Sequence, residues 1–182
     1  IRKDKWVYIS GGGPIGLGVM FLLKHLGARI VLSEPSAFRR DYALRHAGAE
    51  LAYDPSKVNV LNCLQDLTGG IGPEITIECS GNPLAQKQAL DWTRCGGHVM
   101  FCGENYSGLT IIPSLQIIHK ELNVHGAFYF SPADVPEILS LYRNGMDPSS
   151  LVSHTVLMEE APAALEEFFA GKTGKVVIFP ND

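Results

Sequence analysis

An apolar run at residues 6–10 passes directly into Gly11-Gly12-Gly13-Pro14-Ile15-Gly16, and a helix-forming apolar stretch follows to Leu26. The spacing G-x-G-x-x-G, met at Gly11, Gly13 and Gly16, belongs where a buried strand turns sharply into a helix. Gly11 is expected to make the tight turn, Gly13 to let a ligand approach the backbone, and Gly16 to let helix and strand pack closely. Free N–H groups at the positive end of the helix dipole then suit an anion such as a diphosphate. Gly11, Gly13, Pro14, Ile15 and Gly16 are accordingly the candidate diphosphate contacts. In a chain with 19 glycines three spaced ones carry little alone; the strand before them and the helix after them give the pattern its weight.

Two periods alternate along the chain. Residues 6–10, 29–33, 75–79, 98–102 and 122–127 are nearly continuous apolar runs, as strands covered on both faces are, and a shorter strand is expected near 50–53. Helical stretches lie between them: 14–26 is apolar almost all round, while Val60, Leu61, Leu64 and Leu67 mark one stripe and Ala85, Ala89 and Trp92 another. Asn82-Pro83 reads as an N-cap followed by a first helical position, and Gly27 and Gly48 read as helix stops. This order implies an α/β fold, a Rossmann-type doubly wound parallel sheet with right-handed crossovers. After residue 127 the pattern changes. Ser131-Pro132-Ala133-Asp134 resembles a capping box and leads into a stripe of Val135, Ile138, Leu139 and Tyr142 ended by Gly145. A second stripe, Ala161, Ala164, Leu165 and Phe168, ends at Gly171, and a strand follows at 175–179. We expect a dinucleotide-binding domain at 1–128. Residues 129–182 form a short C-terminal helical and strand tail, too small for its own core, that packs on the sheet or on a portion outside the chain.

The second strand ends in Glu34, where a carboxylate can accept hydrogen bonds from adenosine ribose hydroxyls. A fixed carboxylate there repels a ribose 2′-phosphate, which favours NAD over NADP. Against that, Arg39 and Arg40 follow closely and could hold a phosphate, or form a solvated helix face; Arg39 could also lie over the adenine or ribose. Ligands of open parallel sheets bind outside the carboxyl ends of the strands. The later strand ends, Glu78-Cys79-Ser80-Gly81, Cys102-Gly103-Glu104 and Gly126-Ala127-Phe128-Tyr129, are therefore candidate walls for a nicotinamide, or plain sheet-to-loop turns.

Composition narrows the partners. The 182 residues, 46% apolar and 19% charged, suffice for one substantial core and an appendage. A formal charge of -4 and a pI near 5.9 give no electrostatic reason to expect nucleic acid or an acidic membrane. No run could span a bilayer and no export signal is visible, so a cytoplasmic protein is expected. The opening at Ile1, almost directly before an apolar strand, suggests a beginning that has been removed. Cys63, Cys79, Cys95 and Cys102 lie singly, without the spacing by which thiolates share a zinc, and read as buried reduced thiols. The six histidines, His25, His46, His98, His119, His125 and His154, include no i, i+4 ligand pair. Ser80 and Ser107 lack a visible base partner. No residue is assigned a catalytic or metal-binding role.

Several segments together carry a family resemblance: VYISGGGPIG from Val7, Ser33-Glu34-Pro35-Ser36 followed by Arg39-Arg40, IECSG from Ile77, GGHVMFCG from Gly96, KELNVHGAFYF from Lys120 and GKVVI from Gly174. In these the chain resembles the medium-chain dehydrogenases, in particular the zinc-type alcohol and polyol branch of sorbitol, butanediol and threonine dehydrogenases, over essentially its whole length. The resemblance implies a six-stranded nucleotide domain serving hydride transfer between a secondary alcohol or polyol and NAD at a zinc-bound oxygen. It also implies backbone contacts to the nicotinamide carboxamide from Cys102, Gly103 and Glu104 with Ala127, Phe128 and Tyr129. Lys175 matches a basic residue near the pyrophosphate, or is an ordinary cation before a closing strand. In that family the zinc ligands and substrate cleft come mostly from a domain preceding the first strand, so zinc is expected only there and this chain alone is expected to be inactive. An alternative is a stand-alone NAD-sensing module without catalysis. A flavoprotein is permitted by the glycines and Glu34 but fits the later strand ends less well, and a methyltransferase fits least, since no acid precedes the glycines. Self-association is expected through residues 109–113, a β-prone apolar segment suited to an exposed edge.

Overall fold

Successive side chains of a strand point to opposite faces, and residues 6–10 are apolar on both, so the strand needs cover above and below. The computed structural model describes residues 3–180 and shows that arrangement. Strands β1 (Trp6–Ser10), β2 (Arg29–Ser33), β3 (Leu51–Tyr53), β4 (Ile75–Glu78), β5 (His98–Phe101) and β6 (Asn123–Gly126) form one parallel sheet in the order β3-β2-β1-β4-β5-β6. Helices α1 (Pro14–His25), α2 (Ala37–Tyr42), α3 (Val60–Thr68) and α4 (Pro83–Trp92) make the crossovers. On one face Val7, Ile9, Ile30 and Leu32 pack against Leu17, Met20 and Leu23 of α1; on the other, Tyr8 and Val31 pack against Val60 and Leu64 of α3. A third cluster joins Ala89 and Leu90 of α4 to Val99 and Leu122.

Strand order reverses between β1 and β4, the switch point at which such sheets open a crevice at their carboxyl ends. Register brings those ends together: Ser10 lies opposite both Ser33 and Glu78, and Glu78 opposite Phe101. Local chemistry sets the helix limits. The Asn82 side chain accepts from the Leu84 and Ala85 amides at 2.9 and 3.2 Å, with Pro83 next. Gly48, at φ +90°, ends the wider turn Ala43–Ala47 that extends α2.

In the tail the Ser131 capping box forms, leading through a 3₁₀ turn into α5 (Val135–Arg143). β7 (Val152–Leu157), α6 (Ala161–Phe169) and β8 (Lys175–Phe179) follow, with β7 and β8 paired in parallel. β7 escaped the sequence reading because Ser153, His154 and Thr155 break its apolar run. The tail packs on the larger sheet's helices: Leu151 joins the main cluster and the Tyr42 hydroxyl donates to the Ser150 carbonyl at 2.7 Å.

Other expectations need correction. The strands at 75–79, 98–102 and 122–127 stop at Glu78, Phe101 and Gly126; Cys79, Cys102 and Ala127 still donate to Ser10, Glu78 and Phe101 before the chain leaves the ladder. β6 is exposed along its length instead of covered on both faces, since it is the sheet's edge. Residues 109–113 form no strand; Leu109 and Ile111 pack on the third cluster. Cys95 is exposed and Cys63, Cys79 and Cys102 are only half-buried. Ile1 lies outside the described residues. No helix among the described residues is long and apolar enough to cross a membrane.

Candidate cofactor cleft

The glycine turn sits where the sheet's order reverses. Gly11 adopts φ +96°, and a Cβ there would lie 2.8 Å from the Ser80 nitrogen. Gly16 is packed still more tightly, for its Cβ would meet the Gly11 carbonyl oxygen at 2.0 Å. Around Gly13 no protein atom comes within 4 Å of such a position, which leaves that side open. Gly13 caps α1 without any side-chain hydrogen bond, so the first-turn amides of α1 have no side-chain acceptor.

Glu34 stands beside this turn, 5% exposed. One carboxylate oxygen accepts from the Gly12 amide at 2.7 Å and the other from the Ser36 amide at 2.8 Å. Its orientation is therefore fixed by backbone. Below it, the Tyr8 hydroxyl and Ser33 Oγ are hydrogen-bonded at 2.8 Å in the buried floor, and burial raises the Tyr8 pKa.

The two arginines are already committed. Arg39 donates to the Thr173 and Phe168 carbonyls, both at 2.9 Å, with its guanidinium 5.2 Å from the Phe168 ring centroid. Arg40 donates to the Glu34 and Pro35 carbonyls at 2.7 and 2.8 Å and pairs with Asp54 at 3.2 Å. These donors tie α2 to the tail and to the β2 loop, while Arg39 also borders the cleft. Ser36 Oγ adds a hydrogen bond to the Gly171 carbonyl. Asp54 accepts from the Ser56 hydroxyl and amide, and these bonds, then Arg40 and Lys57, hold its carboxyl below the usual range.

A cleft of about 590 Å³ opens here. Of the sequence candidates, Gly11, Gly13, Pro14, Glu34, Arg39, Cys79 and Ser80 line it. Gly16 is buried behind the turn and Ile15 is 58% exposed, outside the lining. Cys102, Gly103, Glu104, Ala127, Phe128, Tyr129 and Lys175 also lie off the lining. Gly103 is pressed against Gly81, and Glu104 is exposed and accepts from the Tyr106 hydroxyl at 2.8 Å. Ala127 donates to the Phe101 carbonyl, while Phe128 and Tyr129 are open to solvent. Lys175 borders a second cavity, of about 220 Å³, that shares Pro14 with the cleft.

Sequence reasoning missed the tail's contribution and gave Glu78 only as part of a candidate wall. Phe168 and Phe169, at the end of α6, line the cleft from the tail; their stripe gave a helix but no partner. Glu78 is fully buried and accepts from the Ser80 amide at 2.7 Å, from the Ser80 hydroxyl, and from the Gly81 amide at 3.1 Å. It shapes the loop that carries Ser80 into the cleft. The available signal was an acid ending an otherwise apolar strand. Among the described residues no group of three or more His, Cys, Asp or Glu could hold a metal ion.

Residues 14–144 match the family model described as zinc-binding dehydrogenase. The chain is similar along its whole length to scyllo-inosose 3-dehydrogenase of Thermotoga maritima, with 32% identity over 47% of that protein. L-threonine 3-dehydrogenase of Thermococcus kodakarensis is 34% identical over 95% of the chain and 50% of the relative. The crystal structure of 2R,3R-butanediol dehydrogenase from Bacillus subtilis superposes with a TM-score of 0.83 at 29% identity, covering all of this chain and 52% of that one. The chain spans about half the length of the curated relatives it matches.

Proposed function

Because the chain belongs to the zinc-binding dehydrogenases, we propose that it is the NAD-binding half of an enzyme that moves hydride between a secondary alcohol or polyol and NAD. One observation carries this reading: a backbone-fixed carboxylate, Glu34, beside a glycine turn whose helix has no side-chain cap. The α1 amides would bind the diphosphate and Glu34 the adenosine ribose hydroxyls. Phe168 and Phe169 offer apolar surface for the adenine. Cys79 and Ser80 border the route toward the nicotinamide, with Cys102, Gly103, Glu104, Ala127, Phe128 and Tyr129 along the same sheet edge. When bound, NAD accepts the hydride that the alcohol gives up.

The preference for NAD over NADP follows from charge. A 2′-phosphate would meet the Glu34 carboxylate, while Arg39 and Arg40 each give donors to backbone carbonyls and, for Arg40, to Asp54. The described residues do not fit a zinc ion, so no step here runs through one. Metal-assisted alcohol activation would fall to residues outside this chain. Residues 1–128 would form the dinucleotide domain and 129–182 a segment shared with the catalytic part, in a homo-oligomer of the cytoplasm acting on small hydroxylated substrates. Calorimetry tests the reading: NADH should bind at least about tenfold more tightly than NADPH, about 1.4 kcal/mol. A folded protein that binds neither would overturn it.

A further inference from the structure

Four cysteines that lie singly in the sequence do not all lie singly in the fold. Glu78 of β4 is opposite Phe101 of β5, so the next residues, Cys79 and Cys102, leave the sheet side by side. Neighbouring strands are about 4.8 Å apart, within the roughly 4.4–6.8 Å between Cα atoms that a disulfide accepts. Both residues are half-buried and pack on the main core cluster. The two thiols are near enough to shift each other's titration. Cys79 also faces the cleft, and its Cβ lies 3.6 Å from where a Cβ on Gly16 would stand, directly behind the glycine turn.

We propose that Cys79 and Cys102 form a dithiol that hydrogen peroxide closes to an intramolecular disulfide on the cleft floor, at a rate governed by whether the cleft is filled. The second half of this statement rests on the reading of the cleft as an NAD site; the first does not. The proximity of the two thiols divides the roles. It favours the Cys102 thiolate, against burial and the nearby Glu78, so that this thiol titrates below its ordinary value. The neighbouring Cys102, with burial and the Glu78 charge, pushes the Cys79 thiol up and keeps it protonated. Cys102 is then the attacking sulfur and Cys79 the resolving one.

The chemistry balances in two steps. The Cys102 thiolate attacks one peroxide oxygen; the S–O bond forms, the O–O bond breaks, and hydroxide leaves to give the sulfenic acid. The Cys79 sulfur attacks the sulfenic sulfur; the S–S bond forms, and the sulfenic oxygen leaves as water with the Cys79 proton. Two thiols are oxidised by two electrons in total and one peroxide is reduced to two waters, counting the proton originally lost from Cys102. A dinucleotide lying over Cys79 would hinder its attack on the sulfenic sulfur. Cys63 on α3 and the exposed Cys95 are internal controls.

The test treats the reduced protein with hydrogen peroxide, with and without NADH, alkylates remaining thiols, and maps the peptides. The expected product has lost two hydrogens, links the Cys79 and Cys102 peptides, reverts with dithiothreitol, and leaves Cys63 and Cys95 alkylated. In Cys79→Ser, oxidation should stop at a sulfenic acid on residue 102 that dimedone traps. Mapping the unmodified protein keeps the test independent of how the variant folds. Oxidation reaching Cys63 or Cys95 first, or running to sulfinic acid at Cys102 without a disulfide, would overturn the proposal. NADH should slow closure severalfold. Closure unaffected by NADH under conditions where calorimetry shows it bound would refute the coupling to occupancy, whereas absent binding would refute the NAD assignment and leave the disulfide result standing.

Discussion

At the scale of single residues, the tightest constraint is at Gly16. A methyl group there would have to enter the space of the Gly11 carbonyl oxygen, and both atoms belong to backbone that holds the turn. Gly16→Ala should therefore cost about 1–3 kcal/mol, read as a melting temperature lower by roughly 2–4 °C per kcal/mol, and should weaken NADH binding in calorimetry. Asp54 makes a separate, pH-dependent contribution. Its carboxyl is held below the ordinary value by Ser56, Arg40 and Lys57, so its stabilisation is complete above the unfolded pKa and is lost as pH falls through the folded one. Asp54→Asn should accordingly lower stability at neutral pH and flatten the acid limb of a melting-temperature profile. The glycines and Glu34 were legible because their demands are local: a sharp turn, a close approach, a charge at a strand end. Glu78 was legible only as part of a strand end, since its worth lies in the amides of a loop whose path the sequence does not specify. The Cys79–Cys102 neighbourhood was hidden for a related reason, as it depends on strand order.

At the scale of elements, α2 is the joint between sheet and tail. Ser36, its N-cap, accepts from the Arg39 amide at 3.2 Å and donates to the Gly171 carbonyl, while the Arg39 side chain takes the carbonyls of Phe168 and Thr173. Removing the guanidinium leaves two carbonyls short of their donor. Arg39→Ala should cost about 1–3 kcal/mol and loosen the end of α6, seen as faster amide exchange at residues 168–173 than elsewhere in the tail. Unchanged exchange there would show that the joint does not depend on this side chain. The sequence announced a helix at α2 and two arginines near its start, but not that Arg39 reaches a segment more than a hundred residues on. The strands β1, β2 and β4 and the helices α1, α3 and α4 were readable from periodicity because each buries its own pattern. β7 was not, having too few apolar residues to declare itself without its partner β8.

Over the molecule as a whole, the tail has no core of its own. Its ordered contacts run through Leu151, Ser150, Gly171 and Thr173 to α1 and α2. Denaturant unfolding should therefore be a single transition, with fluorescence and far-UV circular dichroism coincident; two separated transitions would mean that the tail folds on its own. Elsewhere the surface is less settled: Phe128, Tyr129, Phe130, Ile138, Leu139 and Tyr142 are all substantially exposed, a continuous stretch of chain with more apolar exposure than scattered surface residues give. The expected stripe on α5 is real in pattern but unburied here. For anyone wishing to retune the coenzyme, the shared amide is decisive. The carboxylate that would reject a phosphorylated ribose is also the acceptor that pins the middle glycine of the loop, so erasing it relaxes selectivity and shape together. A neutral amide at position 34 keeps an acceptor for only one of the two backbone N–H groups, which makes reprogramming a problem of rebuilding the loop as well as changing its charge.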